Sequence, residues 1–170
     1  IIYTSGTTGK PKGSVVHHSG LLNYLAFAKE TYVGDETITF PLFTSISFDL
    51  TVTSLFTPLI SGNKIMVYNS DDEMSVIERI IKDNKISIIK ITPSQLKIFI
   101  AYLDSKESIN NEHFAIKRII AGGENLEVGL CKKVYDLLSD KVEIINEYGP
   151  TETVVGCLVH KFDIKIFYYT

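Results

Sequence analysis

The sequence predicts an α/β fold of mostly parallel sheets covered by helices, and three observations predict it. Apolar runs of about four to six residues alternate with amphipathic stretches of about ten to fifteen, as βαβ units require. The helical stretches carry their own punctuation, with Asp49 ahead of Leu50, Ser61-Gly62 after Ile60 and Pro93 in a first turn. With 170 residues, 45% apolar and 22% charged, the chain can bury one good core, so a single domain is expected.

Residues 1–3 read as a short strand that runs into a loop, Thr4-Ser5-Gly6-Thr7-Thr8-Gly9-Lys10-Pro11-Lys12-Gly13, and residues 14–17 as the strand that leaves it. Residues 18–32 read as a helix, because Leu21, Leu22, Leu25, Ala28 and Lys29 recur at helical spacing. His18 at its start is a packing or capping residue rather than a ligand. Residues 37–42 form a strand, 43–48 a hydroxyl-rich loop and 50–60 a helix opened by Asp49. Strands over 64–68, 86–91, 117–121 and 142–145 then alternate with helices over 73–82, 93–103 and 126–138. The polar stretches 69–73 and 104–112 are loops too short to link domains. The chain starts inside a strand and ends, over 165–170, on an apolar strand-like run without a cap, which leads us to expect a piece of a longer protein.

Composition excludes several classes. A net charge of -3 leaves no basic footprint for nucleic acid. No apolar run approaches the roughly 20 residues that span a bilayer, and the N-terminus lacks the order of a signal peptide, so a cytoplasmic protein without membrane contact is expected. Cys131 and Cys157 stand alone, without a CxxC pair, in keeping with a reducing compartment. The four histidines show no metal spacing.

The loop at 4–13 suits phosphate. Its glycines allow a tight turn that offers backbone N–H groups to an anion, and its four hydroxyls and two lysines add donors and charge. A solvated turn between two strands is the plain alternative. A Walker loop is excluded, since Pro11 follows Lys10 where that motif needs a magnesium-binding hydroxyl.

Ligands of open α/β sheets sit beyond the carboxyl ends of the strands, where Lys90, Gly122-Gly123-Glu124 and Asn146-Glu147 fall. Lys90 shares a strand face with Ile86 and Ile88, so its ammonium lies in line with buried aliphatic groups and needs a partner. Glu147 is the candidate; an exposed lysine on an edge strand is the alternative. Asp49 is placed either to cap the helix behind it or to receive an ammonium group. After them, Tyr148 offers a flat face for a base, Thr151 a hydroxyl for phosphate and Glu152 a hard oxygen for magnesium.

Residues 3–13 resemble the phosphate-loop signature of adenylate-forming enzymes, and Asn146-Glu147-Tyr148-Gly149-Pro150-Thr151-Glu152 resembles that family's second nucleotide signature. The resemblance runs from residue 1 to about 160 and takes its closest form in the amino-acid-activating (adenylation) domains of nonribosomal peptide synthetases. It implies part of the large N-terminal subdomain of such a domain, cut at both ends, without the C-terminal lid subdomain and its catalytic lysine. Residues 4–13 would then cover the β- and γ-phosphates of ATP. Tyr148 would stack on adenine near Asn146 and Gly123, Thr151 would contact the α-phosphate, and Glu152 would ligate Mg2+. Asp49 would hold the substrate amine, and Leu50, Thr53, Lys90, Ile120, Gly122, Glu147, Val155 and Gly156 would line the side-chain pocket. That set is similar to the signature of asparagine-activating domains. The implied partner is a peptidyl carrier protein with its phosphopantetheine arm, and the isolated piece is expected to be inactive. An acyl- or aryl-CoA ligase of the same superfamily, or a noncatalytic nucleotide- or protein-binding module, are the alternatives.

Overall fold

The computed structural model describes residues 1–4, 9–69, 74–105 and 114–168, and the chain enters it as a hairpin. β1 (Ile2–Thr4) pairs antiparallel with β2 (Lys12–Ser14), so the second strand takes in Lys12 and Gly13 and stops short of the predicted residue 17. Gly13 permits this pairing: a Cβ there would approach Ile1 to 3.1 Å and Tyr3 to 3.4 Å.

The helix predicted over 18–32 divides in two. α1 (His18–Ala28) is regular, and the next five residues, Lys29–Val33, form a π turn closed by the Gly34 N–H, which donates to the Lys29 carbonyl at 2.9 Å. β3 (Thr39–Leu42) then pairs parallel with β4 (Lys64–Val67) across α2 (Leu50–Ile60), whose limits are those predicted.

α3 (Val76–Asp83) begins three residues later than expected, because Ser75 and Glu78 form a capping box there: Ser75 Oγ accepts from the Glu78 N–H and Glu78 Oε2 from the Ser75 N–H. The same device, from Thr92 and Gln95, opens α4 (Pro93–Asp104) behind β5 (Ile88–Ile91). β6 (Arg118–Gly122), α5 (Val128–Leu138), β7 (Glu143–Tyr148), β8 (Leu158–Lys161) and α6 (Ile164–Tyr168) complete the chain. The strand-like end predicted over 165–170 is thus corrected to a short helix, begun by the Lys165 N–H donating to Asp163 Oδ1.

β5, β6 and β7 are parallel and β8 lies antiparallel on β7, in the order β5-β6-β7-β8. β7 therefore runs past the predicted residue 145. Asn146, Glu147 and Tyr148 pair with His160, Val159 and Leu158, a hairpin whose polar content hid it in the sequence.

Strand alternation sends successive side chains to opposite faces, and each face has its own core. Ile89, Ile91, Ile119 and Ile144 pack beneath Ile80, Leu96, Phe99 and Val134. Ile88, Ile120 and Ile145 pack beneath Tyr24, Leu25, Ala28, Tyr32 and Phe40. Each buried isoleucine contributes about 1.5–3 kcal/mol. The second face also carries Lys90, Gly122 and Glu147, two residues further along the same three strands.

Candidate active site

Lys90 and Glu147 meet on that second face. The register sets Lys90 beside Ile120 and Glu147 beside Gly122, so the intervening strand presents no side chain in the Glu147 row, one step beyond Ile120 on the same face. Lys90 Nζ lies 2.9 Å from Glu147 Oε2 and donates to Oε1 at 3.1 Å. Their side chains are 3% and 1% exposed, so the alternative of an exposed lysine fails, although β5 is the outer strand of its sheet, and the predicted partner is present. Gly156 is also required: a Cβ there would overlap Glu147 Oε1.

Three hydroxyls complete the pair. Tyr24, from α1, donates to Glu147 Oε1 (2.9 Å), and Tyr32, from the π turn, donates to Oε2 (3.0 Å). Lys90 Nζ donates to Thr53 Oγ1 (2.8 Å) and to the Tyr24 oxygen (3.3 Å). Tyr24 and Thr53 lie 2.5 Å apart; since the single Tyr24 proton goes to Glu147, Thr53 is the donor between them. Burial pushes Lys90 below the ordinary lysine range, opposed by the charge of Glu147 and more weakly by that of Asp49. Burial, and then the Glu147 charge, pushes both tyrosines upward, so both stay protonated donors. A buried ion pair needs such bonds to offset its desolvation.

Asp49 stands where α2 begins, but its side chain makes no capping bond and its backbone is already helical (φ -64°, ψ -27°). The predicted cap is therefore corrected. Asp49 Oδ2 instead accepts from Thr151 Oγ1 at 2.7 Å, which ties the end of β7's following turn to the start of α2. Asp49 and Leu50 border one cleft with Phe48, Gly123 and Glu124; Asp49, Val52, Thr151 and Val155 border another. Gly123, Asn146, Glu147, Tyr148 and Pro150 line a third, of about 470 Å³. Asp49 and Gly123 are shared between neighbouring clefts, so these open on one rim beyond the carboxyl ends of β5, β6 and β7.

The predicted positions divide accordingly. Thr53, Lys90, Gly122, Glu147 and Gly156 surround one ion pair, with Ile120 and Val155 in the apolar layer beneath it. Gly122 and Asn146–Glu147, expected just past their strands, are the last residue of β6 and part of β7. Tyr148 is 65% exposed, with its ring available at the rim. Gly9, Lys10, Lys12 and Gly13 lie on the exposed β1–β2 hairpin, whereas Ser5, Gly6, Thr7 and Thr8 lie outside the described residues. Tyr24 and Tyr32 were missed by sequence reasoning; two tyrosines eight residues apart in the apolar helical stretch ahead of a charged strand position are the signal that could have found them.

Among the described residues no group of three or more His, Cys, Asp or Glu could hold a metal by itself. Mg2+ does not need one, since it takes one or two carboxylates together with phosphate oxygens and water. Glu152 is exposed on the short Thr151–Thr153 turn beside the cleft-lining Thr151, and a lone hard carboxylate so placed fits that mode. Among the described residues no helix is long and apolar enough to cross a membrane.

The AMP-binding enzyme family model matches residues 1–166. The chain is 55% identical over 163 residues to tyrocidine synthase 3 of Brevibacillus parabrevis, covering 96% of this chain and 2% of that protein. It is 48% identical over 164 residues to bacitracin synthase 3 of Bacillus licheniformis, covering 96% of this chain and 2% of that protein. Its fold matches the Vibrio cholerae adenylation domain AlmE, solved with glycyl-adenosine-5'-phosphate, with a TM-score of 0.79 at 24% identity over 95% of this chain and 30% of that one. The chain thus spans only a small part of these relatives.

Proposed function

Since the chain belongs to the AMP-binding enzyme family, we propose that it forms the nucleotide and amino-acid sites of an adenylation domain that selects L-asparagine. The carrying observation is the buried Lys90–Glu147 pair, close enough to Asp49 for that carboxylate's charge to act on Lys90. Asp49 receives the substrate ammonium. The carboxamide has one acceptor and one donor group, and Lys90 and Glu147 supply their complements. Its oxygen takes the Lys90 N–H now directed at Tyr24, the longest of that ammonium's bonds at 3.3 Å, and its NH2 donates to Glu147.

Aspartate would bring a second carboxylate against Glu147 in a poorly hydrated pocket, so its rejection is large. Glutamine differs by a methylene, worth about 1–3 kcal/mol, and is excluded less strongly. On the nucleotide side, Tyr148 stacks on adenine beside Asn146 and Gly123, the hairpin with Lys10 and Lys12 faces the β- and γ-phosphates, and Thr151 orients the α-phosphate. Glu152 would hold Mg2+, which supplies charge neutralisation on the phosphates when bound.

The reaction is attack of the amino-acid carboxylate oxygen on the α-phosphorus of ATP, which releases pyrophosphate and gives aminoacyl-AMP. Positioning and electrostatics carry such a transfer, and no covalent side-chain nucleophile is needed. Transfer to a carrier-protein phosphopantetheine thiol follows in this reading, and the relatives named as tyrocidine and bacitracin synthases support it. The test is ATP–pyrophosphate exchange by the full-length protein with a panel of acids. Asparagine is expected to give the highest kcat/KM and aspartate one of the lowest. An acid without an amine exceeding asparagine would overturn the reading in favour of an acyl or aryl ligase.

A further inference from the structure

We infer that Tyr24 and Tyr32 are specificity-determining positioning residues, whose hydroxyls hold the Glu147 carboxylate in the orientation that reads a carboxamide and refuses a second carboxylate. The inference deepens the asparagine reading and rests on it. Glu147 stands between Gly122 on β6 and Val159 on β8, with Gly156 packed against its side chain, and the two glycines offer no side-chain atoms to restrict its last torsion. That torsion joins sp3 to sp2 carbon and is intrinsically broad. Hydrogen bonds must therefore set it.

Each carboxylate oxygen receives a hydrogen bond from a tyrosine, Tyr24 at 2.9 Å on Oε1 and Tyr32 at 3.0 Å on Oε2, while Lys90 donates to Oε1 at 3.1 Å and lies 2.9 Å from Oε2. The lysine alone contacts both oxygens and leaves the group free to pivot about it. The two phenols, arriving from the covering helix and its π turn, fix the plane by holding one oxygen each. Both rings are buried, at 3% and 0% exposure, and phenylalanine would fill the same apolar volume. The hydroxyls are accounted for by the carboxylate rather than by packing. Tyr24 has a second effect, because its oxygen also accepts from Lys90 and Thr53 and so orders the donors that face the substrate.

Tyr24→Phe and Tyr32→Phe in the full-length protein test this, with separate KM values for asparagine, aspartate and ATP in pyrophosphate exchange. Removing one hydrogen bond to a charged group is expected to raise the asparagine KM about tenfold or more. The preference for asparagine over aspartate should fall by a comparable factor, with the KM for ATP unchanged. KM does not depend on the fraction of enzyme that is folded, so partial misfolding leaves the readout intact, and each tyrosine holds a different oxygen, so either variant decides. Unchanged discrimination, or an equal loss towards all three substrates, would overturn the inference and leave the phenols a structural role. If the unsubstituted protein itself prefers another amino acid, the asparagine reading fails, and the variants then decide on that substrate: a raised amino-acid KM at constant ATP KM supports positioning, and an unchanged one refutes it.

Discussion

Replacing Lys90 by methionine keeps most of the side-chain volume and removes the charge, and the structure sets the size of the effect. Glu147, 1% exposed, would lose its 2.9 Å and 3.1 Å contacts to Nζ and keep only the bonds from Tyr24 and Tyr32. Breaking a buried pair from one side costs about 3–5 kcal/mol; because two donors remain, the lower end, about 3 kcal/mol, is expected here. Glu147→Gln alone should cost a similar amount by stranding the ammonium. The double variant Lys90→Met, Glu147→Gln holds no buried charge, and its glutamine oxygen can still accept from a tyrosine. It should be less destabilised than the sum of the singles by about 2 kcal/mol, within the range of coupled neighbours. Urea unfolding of the full-length protein, read by hydrogen exchange in peptides covering β5 and β7, measures all four corners of the cycle. Additivity within about 0.5 kcal/mol would refute the claim that these residues form one energetic unit.

Other outcomes are expected at the same site and beyond it. Gly156→Ala places a methyl on Glu147 Oε1; it should destabilise by about 1–3 kcal/mol and raise the amino-acid KM, seen in unfolding midpoints and exchange kinetics. Tyr148→Ala removes an exposed ring at the rim and should raise the ATP KM about tenfold, using about 1–3 kcal/mol for stacking on a base, without altering amino-acid preference. Arg118 joins Glu36 (2.5 Å) and Glu143 (2.7 Å) at the opposite end of the sheet. Arg118 and then Lys117 hold the Glu36 carboxyl below its usual range; for Glu143, burial acts upward and is outweighed by Lys161 and Arg118. Depressed carboxyls stabilise the fold above their unfolded value of about 4.3 and lose that contribution as pH falls through the folded value. Arg118→Gln should therefore be less stable than the parent at pH 7 by about 1 kcal/mol or less, given the partial exposure of the network, with the gap closing under acid. Unfolding midpoints from pH 7 to 3 check this; a gap that widens in acid would contradict it.

How much was legible follows the physics of each element. α2 was read to the residue because its signals are local: an apolar face and Ser61-Gly62 behind it, with Gly62 at φ +67°. α3 was misplaced at its start although its capping box, Ser75 to Glu78, stands in the sequence. β7 was cut short because Asn146, Glu147 and Tyr148 are strand residues only through a partner, β8, that lies ten residues on and is only half apolar. At the site, the strand period was enough to bury Lys90 alongside Ile88, although Ile86 lies ahead of β5 and packs in the other core, and the end of a neighbouring strand nominated Glu147. The tyrosines escaped because their role depends on a long-range contact and on a helix that changes its own period. Asp49 was read from its position as a cap or an ammonium acceptor; the cap fails, and the Thr151 hydroxyl, 102 residues away, bonds its carboxylate instead.

That change of period has a consequence of its own. Tyr24 and Tyr32 are eight residues apart, which in an unbroken α-helix at about 100° per residue would leave their side chains about 80° out of line. The five-residue π turn over Lys29–Val33, closed by the Gly34 N–H, slows the rotation and brings the second phenol back toward the first. One surplus residue is thus what aims a distant ring at an acid. Deleting Glu30 would leave the two tyrosines seven residues apart, about 20° out of line in regular winding, and should spare the site. One residue added to the same turn carries Tyr32 about 100° further round and should detune the site without touching any residue that borders it, so the length of this helix is as much a part of substrate choice as the identity of the pocket.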